Sequence, residues 1–146
     1  PTDLVNLIEL RILVESRAFE LSIALGDSAW EASVISAHHM LTRASRNDPS
    51  GWGTSEEWTL AHTEFHAALC AACENPRLIS LTKSLRDESL IYHQVRVGER
   101  DSGERDVAAE QRNLMDLAID RNAAKATAAL EDHLRCTTTT LLRSLS

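Results

Sequence analysis

Glycine, proline and aromatic residues are scarce in this sequence. Its 146 residues include five glycines and three prolines, and only 4% are aromatic. A fold of many short β-strands needs frequent turns, which glycine and proline supply, and it favours aromatic side chains in its strands. Because hydrophobic residues make up 43% of the chain and charged residues 25%, the composition is that of a globular domain. We therefore expect an all-helical fold.

Positive charge is also limited. Against 22 acidic residues the chain has 15 lysines and arginines, which gives a formal net charge of -7 at pH 7. A surface that binds nucleic acid needs clustered lysine and arginine to neutralise the phosphates. The sequence therefore predicts that this chain does not itself contact DNA.

Cysteines and long apolar runs are few as well. Three cysteines, an odd number, argue against a disulfide framework and favour a reducing compartment. No apolar run approaches the roughly 18 residues of a membrane span, and no signal peptide is visible at the N-terminus. We expect a cytoplasmic protein that does not associate with a membrane.

Apolar residues recur at helical spacing in six segments, which predict six helices. Between them, residues 46–53 and 98–105 carry the turn signals and charges of connections. Helices joined by short connections predict an antiparallel bundle of about six helices, forming a single domain over residues 1–146. The expected bounds are about residues 2–25, 28–45, 55–74, 76–97, 106–120 and 122–145.

Capping residues set several of these bounds. Ser28 and Glu31 form a capping box that is expected to start the second helix. Thr54 or Ser55 can cap the third helix, and Asn122 can cap the sixth.

Polar side chains interrupt the apolar stripes of three helices. In the third helix, His62 falls on the inward stripe and His66 at its margin. Gln111 takes an inward position in the fifth helix, and His133 borders the stripe of the sixth. An unpaired buried polar group costs about 1 to 3 kcal/mol, so several together usually satisfy one another, a water, an ion or a ligand. Singly, each residue is more often a hydrogen-bonded core residue; together, they favour a central ligand cavity about as strongly as a packed core.

Catalytic motifs are missing from the sequence. His62 is not followed by the glutamate of a metalloprotease helix. Cys70 and Cys73 have the C-x-x-C spacing without a second pair, so small core residues are the better interpretation. The paired Glu-x-x-His segments of di-iron bundles and the G-x-S-x-G of hydrolases are also absent from the sequence. We therefore expect that the chain is not an enzyme.

Four segments of the sequence together resemble a known family. They are E-L-R-x-x-x-E from Glu9 to Glu15, F-H-x-A-L-x-x-A-x-x-N-P from Phe65 to Pro76, E-Q-R-x-L-M-x-x-A from Glu110 to Ala118, and A-L-x-D-H-L ending at Leu134. In this order they resemble the C-terminal effector-binding (FCD) domain of FadR-type regulators in the GntR family of bacterial transcription regulators. The resemblance spans nearly the whole chain, and the F-H…N-P segment with the late H-L is its specific part.

The resemblance implies an all-helical bundle that binds a small effector, often a carboxylate, in a central cavity and forms a homodimer. It also implies that operator DNA is contacted only through an N-terminal winged helix-turn-helix domain, which is not in this chain. The function that it implies is that of the ligand-sensing domain of a DNA-binding transcription regulator.

Many members of this family hold a metal ion with one acidic residue and three histidines. The resemblance places His62 at the acidic position and Gln111 at one of the histidine positions. His66 and His133 match the other two. Three imidazoles would suit a divalent ion such as zinc or nickel and leave a position that an effector carboxylate could complete. The alternative is a metal-free pocket in which these groups hydrogen-bond the effector directly.

Two further residues are candidates for binding the effector. The resemblance gives Arg11 the role of a carboxylate anchor, for which the guanidinium fork is suited. Its spacing from Glu15 favours an ion pair within the first helix as the alternative. Tyr92 on the fourth helix is a further candidate for lining the pocket.

Two other functions fit the same residues. One is a stand-alone helical metal-binding protein or enzyme that uses His62, His66 and His133. The other is a helical interaction module in which the histidines have a structural role.

Overall fold

The computed structural model describes residues 2–44, 55–94 and 106–145. These residues form six α-helices and no β-strand, which confirms the predicted all-α fold. The helices are α1 (Thr2–Leu25), α2 (Ser28–Arg43), α3 (Glu56–Cys70), α4 (Pro76–Gln94), α5 (Val107–Ile119) and α6 (Ala123–Leu145).

The predicted connections at residues 46–53 and 98–105 lie outside the described residues, as do Thr54 and the expected helix ends at residues 45 and 97. None of the described helices is long and apolar enough to cross a lipid bilayer.

α1 is the central helix of the bundle because it packs against α3, α4 and α6. α2 packs against α3 and α5, and α5 packs against α6. α4 meets α1 through a smaller apolar cluster of Leu7, Val14 and Leu85. The main core draws fully buried residues from the other five helices, among them Leu4, Phe19, Val34, Phe65, Leu114 and Leu130.

The turn between α1 and α2 is tight. The Gly26 amide donates to the carbonyl oxygen of Ser22 at 2.7 Å. A Cβ at Gly26 would lie 2.6 Å from that oxygen and 2.5 Å from Cε3 of Trp30, so a side chain does not fit there. Asp27 then caps α2, since its carboxylate accepts a hydrogen bond from the Trp30 amide at 2.9 Å. The predicted cap, Ser28, was wrong: it is the first residue of α2, one position too late to cap the helix.

The other predicted caps agree with the structure. The Ser55 hydroxyl accepts a hydrogen bond from the Trp58 amide at 3.0 Å. The Asn122 side chain accepts one from the Lys125 amide at 3.2 Å. Asp106, which was expected to open the fifth helix, is its cap.

The end of α3 differs from the prediction. The helix ends at Cys70 rather than near Glu74. The Ala72 amide donates at 3.1 Å to the hydroxyl of Ser22 on α1, and Glu74 has a φ of 57°, outside the right-handed helical region. A hydrogen bond to α1 therefore takes the place of the last turn of α3. The spacing of residues within α3 does not predict this bond.

Replacing Asp27 by alanine should lower the free energy of unfolding by about 1 kcal/mol, because the Trp30 amide loses its acceptor. Ser28→Ala is the matched control, since this exposed side chain is not the cap, and its effect should stay within about 0.5 kcal/mol. Urea unfolding followed by circular dichroism measures both variants. A larger loss for Ser28→Ala than for Asp27→Ala would contradict the assignment of the cap.

Candidate functional site

Three histidines meet inside the bundle. His62 and His66 come from α3 and His133 from α6, and each offers a ring nitrogen that lies within 4.8 Å of the other two. The ring centroids of His62 and His66 are 4.6 Å apart, and those of His66 and His133 are 5.2 Å apart. We call these three residues the histidine cluster.

The burial of the two histidines of α3 is the reverse of the prediction, which placed His62 on the inward stripe and His66 at its margin. His66 is 3% exposed, whereas His62 is half-buried. Trp58 is also half-buried, and it stacks on His62 with ring centroids 4.6 Å apart. Phe65 and Leu69 define the inward face. His66, next to Phe65, thus becomes the most enclosed member of the cluster.

His133 is oriented by a carboxylate. It is 3% exposed, and its Nδ1 lies 2.9 Å from Oε1 of Glu110 on α5. A carboxylate oxygen accepts hydrogen bonds, so Nδ1 of His133 donates to Glu110. A carboxylate behind an imidazole is the arrangement that commonly orients metal-binding histidines. Sequence reasoning missed Glu110, although it directly precedes the candidate Gln111.

Burial keeps His66 neutral. The pKa of His66 lies well below its ordinary value of 6.5, first because burial disfavours the imidazolium and then because of nearby positive charge. The groups that contribute this charge are His62, His133, Arg11 and Arg86. Nε2 of His66 is buried and has no hydrogen-bond partner among the described residues. The cluster therefore contains one enclosed imidazole nitrogen whose bonding capacity is unused.

Gln111 is buried as predicted, at 4% exposure, and its Nε2 also lacks a hydrogen-bond partner within the described ranges. Tyr92 is half-buried, and its hydroxyl donates to the carboxylate of Asp3 at the start of α1. In this conformation, the Tyr92 hydroxyl is engaged by α1 rather than by the histidine cluster.

A chain of three buried charges lies between α1 and α4. Arg11, Glu15 and Arg86 are 6%, 1% and 6% exposed. Arg11 donates to Oε2 of Glu15 from Nε at 3.1 Å and from Nη2 at 3.0 Å, and Arg86 donates to Oε1 from Nη1 at 3.0 Å. The ion pair of Arg11 with Glu15 was the alternative that the spacing offered to a ligand role; Arg86 was missed.

The histidine cluster fits the requirements of a divalent metal ion in its ligand types. Neutral imidazoles suit zinc, nickel and copper, and the unpartnered Nε2 of His66 is the type of donor that such an ion needs. Tetrahedral zinc with bonds of about 2.0 to 2.1 Å places its ligand atoms about 3.4 Å apart. The nitrogens of the cluster lie within 4.8 Å of one another, so the widest pair would have to approach.

The described residues thus form an all-helical bundle that contains a histidine cluster and a buried pair of guanidinium groups. The chain belongs to the FCD domain family, whose model matches residues 6–135. It is an effector-binding domain of the kind found in GntR-type regulators, as the resemblance predicted.

Two relatives are transcription regulators. The HTH-type transcriptional repressor GlaR of Escherichia coli (strain K12) is 31% identical over 90 residues, which cover 62% of this chain and 40% of that protein. The uncharacterized HTH-type transcriptional regulator BphR of Paraburkholderia xenovorans (strain LB400) is 31% identical over 140 residues, which cover 90% of this chain and 54% of that protein. The chain thus spans about half the length of these relatives or less.

A solved structure confirms the fold. The crystal structure of a transcriptional regulator of the GntR family from Pseudomonas syringae pv. tomato str. DC3000 matches with a TM-score of 0.77 at 23% identity. The match covers 99% of this chain and 58% of that one. Because the relatives are regulators, they agree with the prediction that this chain is not an enzyme and argue against the stand-alone enzyme.

Glu15→Gln should destabilise the protein by about 3 kcal/mol or more, because two guanidinium groups would remain buried without a carboxylate. Glu20→Gln on the same helix is the control, since Glu20 is exposed and pairs with exposed Arg17. Urea unfolding at pH 7 measures both. Equal losses for the two variants would show that the buried ion pairs do not hold α1 to α4.

The stability of metal-free protein should fall on acidification from about pH 6.5 to 5.5. In the unfolded chain His66 binds a proton near its ordinary pKa of 6.5, whereas in the folded protein its pKa is lower. Stability is therefore fully present above pH 6.5 and is lost as the pH falls toward the folded pKa.

Urea unfolding in the presence of a chelator, repeated across this pH range, measures the slope. His66→Gln should flatten it, and His39→Gln, at an exposed position of α2, should not. An unchanged slope in His66→Gln would contradict the assignment of the effect to His66.

Proposed function

We propose that this chain is the ligand-sensing domain of a DNA-binding transcription regulator, and that it binds a small carboxylate effector beside a divalent metal ion, zinc or nickel. His62, His66 and His133 would hold the metal. The observation that carries the proposal is the buried Nε2 of His66, which lies in a cluster of three imidazoles and has no hydrogen-bond partner among the described residues.

The charges near the cluster support an anionic effector. Arg11 and Arg86 contribute two positive charges and Glu15 one negative charge, and all three side chains are buried. One positive charge therefore remains without a counter-charge in this group. Because an uncompensated buried charge is costly, a carboxylate is the ligand type that would remove the imbalance.

The donor set departs from the family pattern, and the departure shapes the metal hypothesis. His62 stands where the family has an acidic ligand, so the three donors are neutral and bring no negative charge to an ion. An ion bound here would act as a Lewis acid that attracts a carboxylate. The chain's own groups would orient the site: Glu110 holds His133, and Trp58 stacks on His62.

A metal-free site is the alternative. Gln111 has a buried amide nitrogen without a partner in the described part of the chain, and this amide could donate a hydrogen bond to a carboxylate. In that case the imidazoles would hydrogen-bond the effector directly. Metal analysis distinguishes the two forms of the proposal.

The role in transcription rests on the relatives. They are HTH-type regulators that extend beyond the matched segment, so operator DNA would be contacted through an N-terminal domain outside that segment. A homodimer would place two such domains on the operator in the cytoplasm. The effector would shift their arrangement only if it binds two arrangements with different affinity.

Protein purified without chelator should contain about one equivalent of zinc or nickel per chain, measured by inductively coupled plasma mass spectrometry. His66→Ala and His133→Ala should each lower the metal content below about one-tenth equivalent, because the two imidazoles that remain would bind the ion too weakly to retain it. His39→Ala, at an exposed site outside the cluster, should retain the metal. Wild-type protein with less than one-tenth equivalent, even after zinc or nickel is added, would rule out the metal form of the proposal.

A further inference from the structure

Arg86 occupies the inward face of α4. Thr82, Leu85, Arg86 and Ser89 follow helical spacing, and all are buried, at 0%, 6%, 6% and 2% exposure. A guanidinium on this face is not a solvated surface group. It is held inside the bundle, within electrostatic reach of His66, whose pKa it helps to lower.

Arg11 and Arg86 use Glu15 differently. Arg11 presents its Nε and Nη2 edge to the carboxylate, with both atoms donating to Oε2. Arg86 donates from Nη1 alone, to Oε1. Its Nε is buried and has no hydrogen-bond partner in the described ranges. Arg11 therefore binds Glu15 with its Nε and Nη2 edge, whereas Arg86 does not use that edge to bind Glu15.

That edge is the one best suited to a carboxylate. Two parallel N–H groups match the two oxygens of a carboxylate, and such a bidentate pair is among the stronger hydrogen-bonded contacts in proteins. Glu15 accepts from Nη1 of Arg86 and so restrains the position of the buried guanidinium. The group is thereby oriented before a ligand arrives, which lowers the entropic cost of binding.

We propose that Arg86 is the residue that holds the effector carboxylate, through Nε and Nη2, and that Arg11 is a positioning residue that fixes Glu15. This inference rests on the proposed function and assigns its anionic contact to α4 rather than to α1. The ligand class is a small organic carboxylate that lies between the guanidinium of Arg86 and the histidine cluster. The negative charge of this carboxylate balances the net positive charge of Arg11, Glu15 and Arg86.

Isothermal titration calorimetry with acetate, succinate and benzoate tests the inference on the whole 146-residue chain. Arg86→Lys keeps the charge and removes the fork, and it should weaken the binding of the carboxylate that binds wild-type protein best by at least tenfold. Arg77→Lys is the matched control, since Arg77 is an exposed residue at the start of the same helix, and its affinity should equal that of wild type.

Two further measurements separate binding from folding. Thermal unfolding should show that Arg86→Lys remains folded at the titration temperature; if it does not, Arg86→Gln, which leaves a neutral Arg11 and Glu15 pair, takes its place. In wild-type protein, nuclear magnetic resonance of arginine Nε–H groups should show one signal that is lost in the Arg86 variant and shifts when the carboxylate is added. A residue with only a structural role would give no such shift.

The outcomes separate this inference from the proposed function. Tenfold weaker binding together with the Nε–H shift supports the assignment. Wild-type affinity in a folded Arg86 variant overturns it while the carboxylate-sensing function stands. If none of the three carboxylates binds wild-type protein, with or without zinc or nickel, both proposals are overturned.

Discussion

The buried carboxylate of Glu15 is the group on which the arrangement of α1 and α4 depends. It is 1% exposed and accepts from Arg11 of its own helix and Arg86 of α4. An ionised carboxylate is that deeply buried only when its oxygens are paired, since the cost of removing it from water is otherwise several kcal/mol. Its partners in turn cannot move away from it. The positions of both guanidinium groups are therefore fixed by one side chain of the central helix.

Burial and nearby positive charge determine the protonation of His66. Burial comes first, followed by the charges of His62 and His133 and then those of Arg11 and Arg86; together they lower the pKa of His66, so this histidine stays neutral at physiological pH. Glu110 on α5 accepts a hydrogen bond from Nδ1 of His133 and so orients its ring. The histidine cluster therefore contains one imidazole, that of His66, which is enclosed and stays neutral beside the buried ion pairs.

The helices and most caps were predictable because they depend on local spacing, as Ser55 and Asn122 illustrate. Helical spacing supplied the candidate histidines, and the family resemblance gave them and Arg11 their expected roles. The prediction failed where a neighbouring helix decides the structure. Ser22 ends α3 by accepting from the Ala72 amide. Arg86 and Glu110 were missed because the spacing of residues within one helix does not show which other helix its buried face contacts.

His62 and Gln111 are the two departures from the family pattern, and both bear on which ligand the site would bind. The family pattern places an acidic side chain where His62 stands, and the exchange removes one negative charge from the site. Glutamine at position 111 brings no charge either, and its amide nitrogen is buried without a partner among the described residues. Among the described residues, Glu15 is engaged by Arg11 and Arg86, and Glu110 is engaged by His133. The described residues around Arg11 and Arg86 therefore carry more positive than negative charge, and this imbalance is what supports the anionic effector that we propose.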